Sequence, residues 1–212
     1  ELFGKLVKNF TKETPSTEVR TILSDMAFPS EVDKMGAAVE LYEKKYGEIL
    51  RLPLTIPNYQ RIYCWEENNV KCLLEDVFEH ISADGKTPYR LGTIILHSHD
   101  GKYDVIDGQQ RLTTIVMFMK ALYLALGRND LFNIAFMQMS LTGETKPILI
   151  TNYNDQYVYN EIVNRDSISR EPIVKDNRLA EAFAYFAGRI IDARNPVDGS
   201  APITPAALLQ AV

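Results

Sequence analysis

Cysteine is nearly absent from this chain: its 212 residues hold two, Cys64 and Cys72, eight positions apart. Two thiols cannot build a disulfide framework and lack the Cys-x-x-Cys spacing of a zinc knuckle, so they read as reduced, partly buried side chains. Long apolar runs are absent too. None approaches the roughly 20 residues of a membrane helix, and Glu1-Leu2-Phe3-Gly4-Lys5 does not begin a secretory signal. The expectation is a soluble, cytoplasmic protein with no membrane partner. An excess of positive charge is likewise missing, since 23 Lys+Arg against 28 Asp+Glu leave a formal net charge of −5. That argues against a stand-alone nucleic-acid binder, whose affinity would come mainly from cations on phosphates. No Gly-x-x-x-x-Gly-Lys-Ser/Thr loop and no Gly-x-Ser-x-Gly elbow occur, which sets aside a Walker-type ATPase and a serine hydrolase. There is no internal repeat or low-complexity tract.

What is present is ordinary globular material, 46 % hydrophobic and 24 % charged, enough for one medium domain. Residues 1–29 carry little pattern. Ser30 to Gly47 reads as a helix, with Val32, Met35, Val39, Tyr42 and Tyr46 on one face and Gly47 as its stop. Leu52, Leu54 and Ile56 alternate as in a strand that Pro53 would confine to an edge or bulge. Val70, Leu73, Leu74, Val77, Phe78 and Ile81 define an amphipathic helix over residues 66–80. Tyr89–Leu96 and Lys102–Ile106 form a hairpin around a five-residue loop, His97 to Gly101. A helix apolar nearly all round follows Asp107-Gly108 and runs to Gly127, which makes it the central buried helix. Then come a strand at Pro147–Thr151, a helix at 155–164, a polar loop to about residue 175 and a helix at 178–193. Helices and strands mix without strict alternation, so the fold class is α+β, a small mixed β-sheet packed with helices. The chain starts without Met and stops where Thr204 and Pro205 begin another helix, so a piece of something longer is expected.

The informative stretch is Asp107-Gly108-Gln109-Gln110-Arg111-Leu112-Thr113-Thr114, a strand passing through a glycine turn into the buried helix. One reading is structural: Asp107 caps the helix and Gln110 completes a capping box. Arg111 does not fit it. A cation in the first helical turn faces the positive end of the macrodipole and calls for something anionic, either a protein carboxylate or a ligand phosphate on the helix N-terminus. A second junction, Ile56-Pro57-Asn58-Tyr59-Gln60-Arg61-Ile62-Tyr63-Cys64-Trp65, repeats the pattern of strand, Gln-Arg pair and helix start. Two such pairs suggest a shared anion pocket. Tyr59, Tyr63 and Trp65 flank it, either to stack on a base or to pack; for Trp65 a core or staple role is the better reading.

These two junctions, with Leu91-Gly92-Thr93-Ile94 between them, resemble in order and spacing the N-terminal domain of GmrSD-type, modification-dependent restriction enzymes, a family with an Asp-Gly-Gln-Gln-Arg signature. The likeness covers about residues 50–165 and includes the stretch from Lys146-Pro147 to Asn154-Asp155. It implies a ParB/sulfiredoxin-like core with flanking helices: a helical extension over 1–49, a nucleotide-binding domain over 50–165 and a C-terminal helical segment over 166–212. It also implies binding and hydrolysis of a nucleoside triphosphate with Mg²⁺, used to regulate cleavage of modified or foreign DNA in antiphage defence. The implied partners are the nucleotide, DNA through the full-length protein, a C-terminal nuclease domain, and a second copy in a homodimer. Asp107, Gln109, Gln110 and Arg111 are then the catalytic candidates. Gln60, Arg61, Gly108, Arg111 and Thr113 would bind the nucleotide, and Asp107 the metal. Amides near Gly108 and the forks of Arg61 and Arg111 suit phosphates, and Gln109 or Gln110 suits orienting a water. The alternative is a nucleotide-gated switch resembling ParB with little hydrolysis, or a structural domain in which Arg111 pairs with a carboxylate. Two weaker signals are set aside: His97 and His99 read as solvated loop histidines, and Asp130 with Glu144-Thr145-Lys146 as charges at a chance spacing.

Overall fold

The computed structural model describes residues 40–42, 44, 46–83, 92–139 and 143–194. Their elements are helix α1 (Tyr46–Ile49), strand β1 (Leu54–Thr55), helix α2 (Glu67–Ala83), strands β2 (Ile95–His99) and β3 (Lys102–Asp107), and helices α3 (Gln109–Ala125) and α4 (Asn129–Phe136). Strands β4 (Met137–Met139), β5 (Thr145–Pro147) and β6 (Leu149–Ile150) and helices α5 (Tyr153–Val163) and α6 (Arg178–Arg194) complete them.

The main sheet has the order β2-β3-β1-β6, in which β1 runs parallel to β3 and β6 while β2 is antiparallel to β3. This is the α+β class with a small mixed sheet. Leu54 lies level with Tyr103 and Leu149, and this row faces the helices; the next row, Thr55, Asp104 and Ile150, faces away. Strand β1 is therefore central, not the edge or bulged strand expected from Pro53. Pro53 precedes the first paired residue, where no N–H is required, and its carbonyl still accepts from the Tyr103 amide at 3.1 Å. Strands β4 and β5 form a separate ribbon that the sequence reading missed.

The hairpin β2–β3 turns on two residues rather than five. Asp100 (φ 47°) and Gly101 (φ 73°) both take positive φ, as the tight turn matching strand twist requires. His97 and His99 thus belong to β2 and share its outward face, and His99 Nε2 lies 3.1 Å from Asp104 Oδ2. The helix expected over 30–47 lies mostly outside the described residues. Within them, 40–42 and 44 are not helical, and the short α1 runs past Gly47 because Tyr46 and Leu50 anchor it in the core. The parts of the expected strand over 89–91 and of the helix beginning at Thr204 also lie outside the described residues. Both thiols are exposed, contrary to expectation: Cys72 sits on the outer side of α2, whose Val70 and Leu74 point inward. No helix among the described residues is long and apolar enough to cross a membrane.

Helix α3 is the central element, buried at Leu112, Val116, Met117, Phe118, Met119, Ala121 and Leu122. Helix α6 lies along it through Phe183, Phe186 and Ile190, with the Phe118 and Phe186 rings 5.2 Å apart. Trp65 packs against this core, as the core reading anticipated. One buried residue breaks the apolar pattern. Lys120 is 0 % exposed; its Nζ donates to Asn129 Oδ1 at 2.6 Å and sits over the Phe132 ring, and Asn129 donates onward to Asp166. Burial pushes the Lys120 amine down to about 8, with Asp166 opposing the shift. Below that pH the folded protein carries a charge it disfavours; as pH rises from about 8 toward 10.5, the unfolded chain holds more protons than the folded one, so stability rises. Lys120→Met is expected to remove this rise. Comparing the melting temperatures of the two proteins between pH 7.5 and 9.5 checks it, and equal slopes would contradict it.

Candidate functional site

Strands β1, β3 and β6 all run the same way and end at one edge of the sheet. The three chain segments that leave this edge therefore converge: 56–66 after β1, Gly108 and α3 after β3, and Thr151-Asn152 before α5. Crevices at the carboxyl ends of parallel strands are where such folds place their ligands.

The turn into α3 depends on Gly108. It adopts φ 95°, and an added Cβ would stand 2.9 Å from Ile94 Cγ1. Gly108 is itself the N-cap and supplies no side-chain cap bond, so the expected capping box of Asp107 and Gln110 does not form. Asp107 instead ends β3 as an exposed residue whose carboxylate has no hydrogen bond or ion pair among the described residues. The N-cap of α3 thus offers no side chain to the amides of its first turn, and an exposed carboxylate stands beside it.

Gln110 turns away from the helix end and grips the other junction: its Oε1 accepts from the Cys64 amide at 3.0 Å and its Nε2 donates to the Ile62 carbonyl at 3.1 Å. Each end of this amide makes one bond to the 56–66 segment, so Gln110 clamps the two junctions together. Thr113 is also turned inward, 3 % exposed, with its hydroxyl donating to the Gln109 carbonyl. Thr114 bonds to the Gln110 carbonyl and to the Tyr63 hydroxyl, a second fastening between the junctions. Burial raises the Tyr63 phenol well above its ordinary value.

Gln60 and Gln109 meet directly. Gln109 Nε2 donates to Gln60 Oε1 at 3.2 Å, while Gln60 Nε2 donates to the carbonyl of Ile106, at the end of β3. The two junctions that carry the Gln-Arg pairs are therefore in contact, through Gln60 of the first pair and Gln109, the residue that precedes the second. Their arginines differ. Arg61 is exposed and its guanidinium has no bond or ion pair among the described residues. Arg111 is half-buried: Nη2 donates to the Thr93 carbonyl at 3.1 Å, and the guanidinium lies across Gly92 so closely that a Cβ there would fall on Nη1. Gly92, at φ 99°, is a part of the site whose role sequence reasoning did not assign, although it stands in the Leu91-Gly92-Thr93-Ile94 motif.

The third segment was legible only as a resemblance. Asn152 caps α5, its Oδ1 accepting from the amides of Asn154 and Asp155, and its Nδ2 reaches the Arg61 carbonyl. Asp155 accepts from the Tyr63 amide at 2.7 Å and from Asn152, and Asn58 accepts from the Tyr153 amide. Burial raises the Asp155 carboxyl above its usual range, opposed by these hydrogen bonds. No group of three His, Cys, Asp or Glu among the described residues is arranged to hold a metal.

An α+β domain whose small mixed sheet presents two joined Gln-Arg junctions at its carboxyl edge is the class that this geometry defines. The chain belongs to the GmrSD restriction endonuclease N-terminal domain family, whose profile it matches over residues 40–197. No curated protein matches it.

Proposed function

We propose that this domain binds and hydrolyses a nucleoside triphosphate, and that it does so as the regulatory domain of a modification-dependent restriction nuclease that acts in antiphage defence. The observation that carries this reading is the Gln109–Gln60 contact, which joins the two Gln-Arg junctions at a helix start with no side-chain cap. Family membership supports it. Phosphate oxygens suit the α3 amides, and Arg61 and Arg111 bring two planar cations to the same edge. A Mg²⁺ ion fits in a limited way: Asp107 offers one carboxylate with no partner among the described residues, and Mg²⁺ characteristically takes one or two carboxylates with phosphates and waters completing its shell. In this reading Asp107, with Gln109 or Gln110, directs a water, and Gln110 also holds the 56–66 segment against α3. The likeness to a ParB/sulfiredoxin core belongs to the same reading, as do DNA contact and a nuclease module in the full-length protein, homodimer formation, and a cytoplasmic location.

Phosphate release from each of the four ribonucleoside triphosphates with Mg²⁺, in wild type and Arg111→Ala, tests the activity. Release that disappears in a folded Arg111→Ala protein is the expected result and identifies the base. Tight binding without turnover would replace hydrolysis with a nucleotide-gated switch, and neither binding nor turnover would overturn the reading.

A further inference from the structure

Between Ile56, whose amide still joins β6, and the start of α2, the chain carrying Gln60 and Arg61 has no strand partner. Its polar backbone groups are met instead by side chains from two helices. The Arg61 carbonyl accepts from Asn152, the Ile62 carbonyl from Gln110, the Tyr63 amide donates to Asp155, and the Cys64 amide donates to Gln110. Gln110 sits on α3 and belongs to the site already described. Asn152 and Asp155 sit at the first turn of α5, and Asp155 is the hinge of that pair: Oδ2 takes both the Tyr63 amide, at 2.7 Å, and the Asn152 side-chain amide, at 3.1 Å. Removing it frees the Tyr63 amide and also the Asn152 group that reaches Arg61. A buried carboxylate is costly unless its hydrogen bonds are made, and here they are made to the segment that bears Arg61.

We propose that Asp155 is a positioning residue: through Tyr63 and Asn152 it sets Gln60 and Arg61 against the first turn of α3, and so fixes the affinity of the polyphosphate site without touching the ligand. The consequence for binding rests on the nucleotide reading above; the consequence for the segment itself does not. Inorganic tripolyphosphate is the probe, because it reports on the phosphate site whatever the base. Asp155→Ala is expected to weaken its binding at least tenfold. Asp155→Asn, which keeps an acceptor oxygen for both donors, is expected to restore binding to within threefold of wild type. Val158→Ala, which loosens the same helix from its buried side, is expected to leave binding within threefold. Asn152→Gly keeps a permissive helix cap while deleting the donor to Arg61, and is expected to weaken binding three- to tenfold should Asp155→Ala not fold. Amide exchange read by NMR supplies the second readout. Exchange at Tyr63 is expected to rise at least tenfold in Asp155→Ala and to stay unchanged in Val158→Ala. Wild-type affinity in Asp155→Ala, equal losses in Asp155→Ala and Val158→Ala, or unchanged Tyr63 exchange would each overturn the proposal. If wild type binds no tripolyphosphate, the phosphate-site reading fails, and the exchange data alone decide whether Asp155 holds the segment.

Discussion

Phe186→Ala is expected to destabilise the domain by about 3–5 kcal/mol, the usual cost of emptying a large aromatic site in a packed core. Phe186 is 0 % exposed, and its ring meets Phe118 of α3 at 5.2 Å. The site begins at the first turn of that same helix, so the packing of α6 supports the element from which Gln109, Gln110 and Arg111 project. For a domain of this size each kcal/mol shifts the melting temperature by about 2–4 °C, so a fall of order 10 °C is expected. Thermal unfolding followed by circular dichroism measures it. A change of less than 2 °C would mean that α6 does not pack on α3.

Gly108→Ala is expected to cost about 1–3 kcal/mol, because a side chain held in the left-handed region is strained wherever it sits. Here space adds to the strain: the new Cβ would meet Ile94 Cγ1 at 2.9 Å and the Ile94 backbone at 3.4 Å. The turn must open, which moves the amides of α3 and the Gln109–Gln60 contact together. The substitution should therefore lower both stability and nucleotide affinity. Gly101→Ala, where nothing lies within 4 Å of the added Cβ, separates backbone strain from this crowding. Equal stability losses at the two glycines would contradict the close approach of Ile94.

Elements with a strong period were legible in the sequence. The faces of α2, α3 and α6 follow from apolar residues every three to four positions, and the described ranges differ from the expected ones by a few residues at their ends. Short strands were harder. A central strand of two paired residues, Leu54 and Thr55, gives no alternation to read, and Pro53 pointed the wrong way because its constraint falls one residue before the ladder. Within the site, the Gln-Arg junctions were visible as residue types, but their division of labour was not. Gln110 reads in the sequence as a capping residue or a catalytic one, and its bonds to the Cys64 amide and the Ile62 carbonyl, which tie the junctions together, depend on residues 46 and 48 positions away. Lys120 could not be read as buried, since its partners Asn129 and Asp166 stand nine and 46 positions away in the chain.

The central claim is that the joined Gln-Arg junctions hold a nucleoside triphosphate. Arg61 tests it most directly: its guanidinium is exposed and unpaired among the described residues, so Arg61→Glu changes the field at the site with little effect on folding. Calorimetric titration with each of the four ribonucleoside triphosphates, in wild type and Arg61→Glu, is the measurement. The account predicts binding to wild type that weakens by at least thirtyfold in the variant while its melting temperature stays within 2 °C. Equal affinity in the two proteins would contradict it.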